Sequence, residues 1–191
     1  MLLDEILNFV NIDKNFKLYH QAKYIKAKVL CNEYQYTKGI EVLLNVYEAV
    51  KKNPNIKLNK YLILNNLALY LNEMRKYDQA MEYLTLALKE LKNTDKLNEL
   101  YLTYSNIGNI LGDQNKHQAA IDTLLKSVEI NKKLNRRSNS IITYYNIGRS
   151  YTDLGNYAKA NQYFLIGLDQ TKKLGFEIGY SYLYYGLGRV C

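Results

Sequence analysis

The chain repeats itself. Segments starting at Asn65 (NNLALYLNEMRKYDQAMEYLTLAL), Ser105 (SNIGNILGDQNKHQAAIDTLLKS) and Tyr145 (YNIGRSYTDLGNYAKANQYFLIG) align without a gap, 40 residues apart each time. Asn66, Asn106 and Asn146 fall in register, as do Leu67/Ile107/Ile147, Ala68/Gly108/Gly148, Leu71/Leu111/Tyr151 and Ala80/Ala120/Ala160. An earlier, weaker copy carries Ala27, Leu30, Gly39 and Leu43 one residue out of period, and a later one begins with Tyr184, Leu187 and Gly188. Self-similarity at a fixed period of about 20–50 residues marks an array, in which no unit buries its apolar face alone.

Each unit reads as two helices. Tyr104, Ile107, Gly108 and Leu111 are spaced i, i+3, i+4, i+7 and share one helical face. Ala120, Leu124 and Ser127 give a second such face after a short turn. The turn carries Asn115 in one copy and Gly155 in another, the types that best tolerate the left-handed conformation ending a helix. Small residues at 68/108/148 and 80/120/160 let paired helices approach closely. No segment alternates with period two, so the chain is expected to be all-α.

Composition narrows the alternatives. One proline and ten glycines in 191 residues leave too few turn formers for a sandwich or barrel of short strands. A hydrophobic content of 48% argues against disorder. The net charge of +8 speaks to solubility and loose partners rather than fold. Cys31 and Cys191 make neither a metal pair nor a disulfide framework, which points to a reduced interior. No apolar run reaches a membrane span, and MLLDEILNFV has no basic leader, so a soluble, cytoplasmic protein is expected.

These residues resemble the tetratricopeptide repeat, with its large-x2-Leu-Gly-x2-Tyr and Ala-x3-Phe-x2-Ala pattern. Tyr144, Ile147, Gly148, Tyr151, Ala160 and Phe164 match slot by slot, as do Leu64, Leu67, Ala68, Leu71, Ala80, Leu84 and Ala87. Tyr36, Tyr77, His117 and Tyr157 fill the aromatic slot before the second small residue. The sequence departs from the family in its period, 40 rather than 34, and in lacking the closing proline everywhere except near Pro54. The resemblance implies a right-handed superhelical solenoid of helix-turn-helix pairs. Its units would be a helix over 1–15, a degenerate repeat over 16–55, and repeats over 56–95, 96–135 and 136–175. The first helix of a further repeat would follow over 176–191. Leu2, Leu3, Ile6, Leu7 and Val10 stripe the first helix, and the incomplete last repeat reads as part of something longer. Its Tyr184, Leu187 and Cys191 are expected to need cover from another chain, for instance a homodimer partner.

The 40-residue period and the abundance of tyrosine and asparagine (twenty and twenty-two) also resemble the peptide-pheromone receptors of Gram-positive bacteria. These are the PlcR- and Rgg-like regulators and the Rap-like phosphatases. That resemblance implies a groove holding a short signalling peptide by inner-helix asparagines, and a DNA-binding domain N-terminal to this segment. With repeat slots numbered from Tyr61, Tyr101 and Ile141, stacking buries slots four, seven, eight and eleven. Slots two, five, six, nine and twelve or thirteen face the groove. Slot five is then Asn65, Ser105, Tyr145, Tyr185, and slot six is Asn66, Asn106, Asn146. Slot nine is Leu69, Asn109, Arg149, Arg189; slot thirteen is Glu73, Asp113, Asp153; slot two is Leu62, Leu102, Ile142, Tyr182. Asn66, Asn106, Asn109, Tyr145, Asn146, Arg149, Tyr185 and Arg189 are the expected peptide-binding residues. An amide offers a donor and an acceptor to a peptide backbone, and arginine suits a free carboxylate. The arginines could instead pair with Glu73, Asp113 or Asp153, and the asparagines with neighbouring helices.

Catalysis, cofactors and metals are not expected: GxSxG, HExxH, GxxxxGK[ST] and CxxC are all missing from the sequence. GLG at 186–188 occupies the small packing slot, His117 is expected to pack locally, and His20 to lie at the surface or cap a helix. Cys31 reads as a small hydrophobe. Lys132, Lys133, Arg136 and Arg137 suit a helix C-terminus better than nucleic acid. The functional alternatives are a peptide sensor, a plain protein–protein scaffold, and a phosphatase effector that would need a further helical bundle.

Overall fold

A computed structural model describes residues 16–53, 55–56, 58–92, 94–134, 140–175 and 177–190, the side chains of 177 and 178 excepted. The expected 1–15 helix, Pro54, Arg136, Arg137 and Cys191 lie outside the described residues. Among the described residues there is no strand, and the helices come in pairs joined by short turns. They are α1 (Phe16–Asn32) with α2 (Tyr36–Lys52), α3 (Lys60–Glu73) with α4 (Tyr77–Leu91), and α5 (Leu97–Asp113) with α6 (His117–Lys133). Then come α7 (Ser140–Asp153) with α8 (Tyr157–Leu174), and α9 (Glu177–Gly188). The chain divides into two compact units, Met1–Ala87 and Leu88–Cys191.

The turns explain why the pairs form. The residue two places beyond each first helix is left-handed: Tyr34 (φ 63°), Arg75 (57°), Asn115 (60°) and Gly155 (73°). Around it the backbone closes the helix end in one way throughout. Asn115 N donates to Gly112 O (3.0 Å) and Lys116 N to Leu111 O (2.8 Å); Gly155 and Asn156 repeat this with Thr152 O and Tyr151 O (both 2.9 Å). These bonds satisfy carbonyls that the helix end leaves open. Asn59 Oδ1 caps α3 by accepting from Tyr61 N (3.0 Å) and Leu62 N (3.3 Å).

In the first unit, Ala27, Cys31, Leu43, Val46, Leu64 and Leu67 form the centre of the core. Gly39 lets α2 lie against α1: a Cβ there would collide with Cys31 Sγ and come within 2.9 Å of Ala27 O. Cys31 is the expected small hydrophobe, and burial pushes its thiol up to about 11. His20 is different from expectation. It is 7% exposed, with Phe16 and Tyr19 edge-on to its ring at 4.5 and 5.3 Å. The apolar side of α1, rather than a helix end, claims it.

In the second unit, Ile121, Leu124, Val128, Tyr144 and Ile147 pack α6 on α7, and Ile141, Ala160, Phe164 and Leu183 pack α7, α8 and α9. Phe164 is the wedge. Its ring fills the space where both Gly148 and Gly186 lack a Cβ. Leu124 does the same at Gly108, where a Cβ would stand 2.5 Å from Leu124 Cγ. Of the GLG segment only Gly186 is a packing site; Gly188, in the register of Gly108 and Gly148, is exposed with nothing within 4 Å of a Cβ, so the expected packing slot is corrected there. Leu183 and Gly186 of α9 are buried against this chain's own α7 and α8, and Leu187 and the following Val190 pack partly buried beside them. The expectation that Leu187 needs another chain is therefore corrected, while Tyr184 is 59% exposed.

Candidate functional site

The first helices of the second unit place one polar row on α5, α7 and the residue just after α9. Asn109 and Asp113 lie one helical turn apart on α5, and Asn146, Arg149 and Asp153 are similarly spaced on α7. The buried slots behind them, Ile107 and Gly108, Ile147 and Gly148, fix which way the row faces.

Hydrogen bonds join the row from helix to helix. Asn146, the deepest member at 9% exposure, donates from Nδ2 to Asn109 Oδ1 at 2.7 Å. Arg149 Nη2 donates to Asp113 Oδ1 at 3.0 Å, and Arg189 Nη2 to Asp153 Oδ1, also at 3.0 Å. The two ion pairs are only partly shielded: Arg149 and Asp113 side chains are each 30% exposed, Arg189 and Asp153 41% and 29%. Gly112 supports the first pair, since a Cβ there would stand 3.3 Å from Arg149 Nη2.

Tyr145 and Tyr185 flank this row. Tyr145 lies 5.6 Å from Tyr182 and 6.0 Å from Phe164, ring to ring. Burial pushes the Tyr145 phenol up, the Arg149 charge opposes it, and Tyr185, Arg189 and Tyr182 contribute in turn. So Asn109, Tyr145, Asn146, Arg149, Tyr185 and Arg189 are brought together, and Asn106 sits half-buried on α5 one turn before Asn109. Leu102, Ile142 and Tyr182 add an apolar row, exposed by 37%, 58% and 50%. Asn66 belongs to the first unit, where its Nδ2 donates to the Tyr24 hydroxyl at 2.7 Å.

Two slot assignments need correction. Asn65 does not face outward: it is 4% exposed and its Nδ2 donates to Tyr61 O at 2.8 Å, on its own helix. His117 does not pack only locally, because its Nδ1 lies 3.8 Å from Asp153 Oδ2 on α7. Asp153 therefore stands between His117 and Arg189. The alignment alone hid Gly112, whose one sign is a second glycine where the other copies have Asn72 and Thr152. Among the described residues no group of three His, Cys, Asp or Glu could hold a metal ion. No helix among them is long and apolar enough to cross a membrane.

Two family models, each described as tetratricopeptide repeat, match residues 99–173 and 62–90. No curated protein matches the sequence. Solved structures do match in fold. A signal transduction ATPase with numerous domains, carrying a tetratricopeptide repeat sensor, from Pyrococcus horikoshii superposes with a TM-score of 0.79 at 18% identity over 98% of this chain. A Rap protein complexed with competence and sporulation factor gives 0.76 at 18% over 98%, and BtubC from P. vanneervenii 0.72 at 19% over 83%. The chain spans 28%, 53% and 65% of those three proteins respectively.

Proposed function

Because the chain belongs to the tetratricopeptide-repeat family, we propose that it is a peptide-binding module that holds a short linear peptide on the α5–α7–α9 row. The reading extends to its role: the ligand-sensing part of a bacterial regulator of the PlcR or Rgg kind, answering a signalling peptide. The observation that carries it is the partly exposed ladder of Asn109–Asn146, Arg149–Asp113 and Arg189–Asp153 beside an apolar row.

The chemistry fits an extended backbone. In the Asn109–Asn146 pair one N–H and one carbonyl are engaged, which leaves further amide donors and an acceptor for a ligand. Each guanidinium has five N–H donors in a fixed fork. Asp113 and Asp153 hold those forks in place, so less side-chain freedom is lost when a ligand carboxylate joins the open edge. The carboxylates themselves suit a basic side chain or an N-terminus. Leu102, Ile142 and Tyr182 would cover apolar side chains of the peptide, and Tyr145 and Tyr185 offer rings with a polar tip. The likeness in fold to a Rap protein complexed with competence and sporulation factor supports this reading.

Titration of a peptide library of roughly five to ten residues tests it. Arg149→Ala is expected to weaken the best ligand about ten-fold or more, the scale of a lost charge-assisted bond, and Asn146→Ala roughly two- to ten-fold, that of a neutral one, with melting temperature nearly unchanged. Unaltered affinity in both variants overturns the proposal.

A further inference from the structure

The first unit holds a pocket of about 290 Å³ at the α1–α2 turn, lined by Tyr34, Tyr36, Tyr70, Leu69, Cys31 and Glu73 among others. We infer that it is a binding site for a quaternary ammonium group, an aromatic cage of Tyr34, Tyr36 and Tyr70 with Glu73 as its counter-charge. This goes beyond the peptide reading and rests on residues of the first unit alone.

The rings stand as walls. Tyr34 and Tyr36 are 6.1 Å apart and nearly perpendicular, at 89°, and Tyr36 and Tyr70 are 6.3 Å apart at 35°. Ring faces carry negative potential and attract a cation within about 6 Å of their centroids. Elsewhere this chain fills such faces itself. Lys23 lies over Tyr19, Lys28 over Tyr24, Lys60 over Tyr61 and Lys159 over Tyr151, at 4.6–5.9 Å. Among the described residues, no cation is placed over the rings of Tyr34, Tyr36 or Tyr70, and Glu73 makes no ion pair.

Glu73 is close enough for its charge to add to burial in raising the Tyr36 phenol. Burial, with Cys31, Tyr24 and Tyr36 behind it, pushes Tyr70 up to about 12, so the Tyr36 and Tyr70 phenols and the Cys31 thiol stay neutral at pH 7. The carboxylate is then the charge that selects the ligand's sign. A primary ammonium would need acceptors for three N–H groups. A trimethylammonium head needs none, and its methyl groups bury against the rings and Leu69.

Tyr34 sits at the left-handed turn position that Arg75, Asn115 and Gly155 fill elsewhere, and it is 81% exposed. An aromatic side chain at positive φ is strained, and the Tyr34 ring packs on the Tyr36 wall of the pocket rather than in the core.

The test is titration of the whole chain with choline and with its uncharged isostere 3,3-dimethylbutan-1-ol, read by tyrosine NMR shifts and calorimetry. Choline is expected to bind at least about five-fold more tightly than the isostere. Tyr34→Gly, which relieves the turn and keeps the fold, should weaken choline roughly three- to thirty-fold. Glu73→Gln should weaken it about two- to five-fold. A trimethyllysine peptide compared with its unmodified lysine form shows the source of the head group. Tighter binding than choline assigns it to a protein side chain, and equal or weaker binding to a free small molecule. Equal affinity for choline and isostere, no saturable choline binding at tens of millimolar, or full affinity in Tyr34→Gly overturns the cage.

Discussion

Tyr34 and Arg75 occupy a conformation that costs an ordinary L-residue about 1–2 kcal/mol. Asn115 tolerates it better and Gly155 without a Cβ penalty, yet the same backbone bonds close all four turns. Arg75 is exposed, so removing its side chain sacrifices only a surface charge. Glycine brings its own entropy cost of roughly 0.5–1 kcal/mol, and the balance favours it. Arg75→Gly is expected to stabilise by about 0.5–1 kcal/mol, a rise of roughly 1–4 °C in melting temperature by calorimetry. A lower melting temperature would mean that the Arg75 side chain holds something its exposure does not reveal.

At the scale of the element, small residues decide which helices touch. Phe164 is 1% exposed and seats in the space left by Gly148 and Gly186. Gly148→Leu should overpack that contact and cost on the order of 1–3 kcal/mol or more, whereas Lys132→Ala, on an exposed face, should stay within about 0.5 kcal/mol. Denaturant melts of the two variants check the pair, and equal midpoints would show that the register of α7 on α8 is wrong. The spacing of Ala80, Ala120 and Ala160, all fully buried, made the helix pairs legible in the sequence, because close approach forces small residues at a fixed slot. The polar row was legible for the same reason, being what remains once the buried slots are assigned. What the pattern could not tell was the partner each polar group takes. Asn65 and Asn66 are adjacent and alike in type, but one bonds its own helix and the other reaches Tyr24. His117 and Asp153 belong to different repeats, and only the packed helices bring them near.

For the whole molecule, pH is the condition that exposes a buried base. His20 is held below the ordinary histidine value of 6.5, by burial first and then by Lys23. Its Nδ1 has no hydrogen-bond partner among the described residues. The folded chain thus prefers the neutral ring. The stability tied to it is fully present above pH 6.5 and is lost as pH falls through the depressed folded value. Urea melts across that range should show the wild-type chain losing more stability in acid than His20→Gln, and parallel pH slopes would refute the assignment. A different consequence follows from the ladder of the second unit. Every rung has its donor on the later repeat and its acceptor on the earlier one: Asn146 to Asn109, Arg149 to Asp113, Arg189 to Asp153. Each repeat is therefore plug on one side and socket on the other. In-frame loss of one 40-residue repeat would bring Arg189 to the place of Arg149, opposite Asp113, and duplication would add a rung of the same kind. The array can change its length by whole repeats without leaving an unmatched charge inside it.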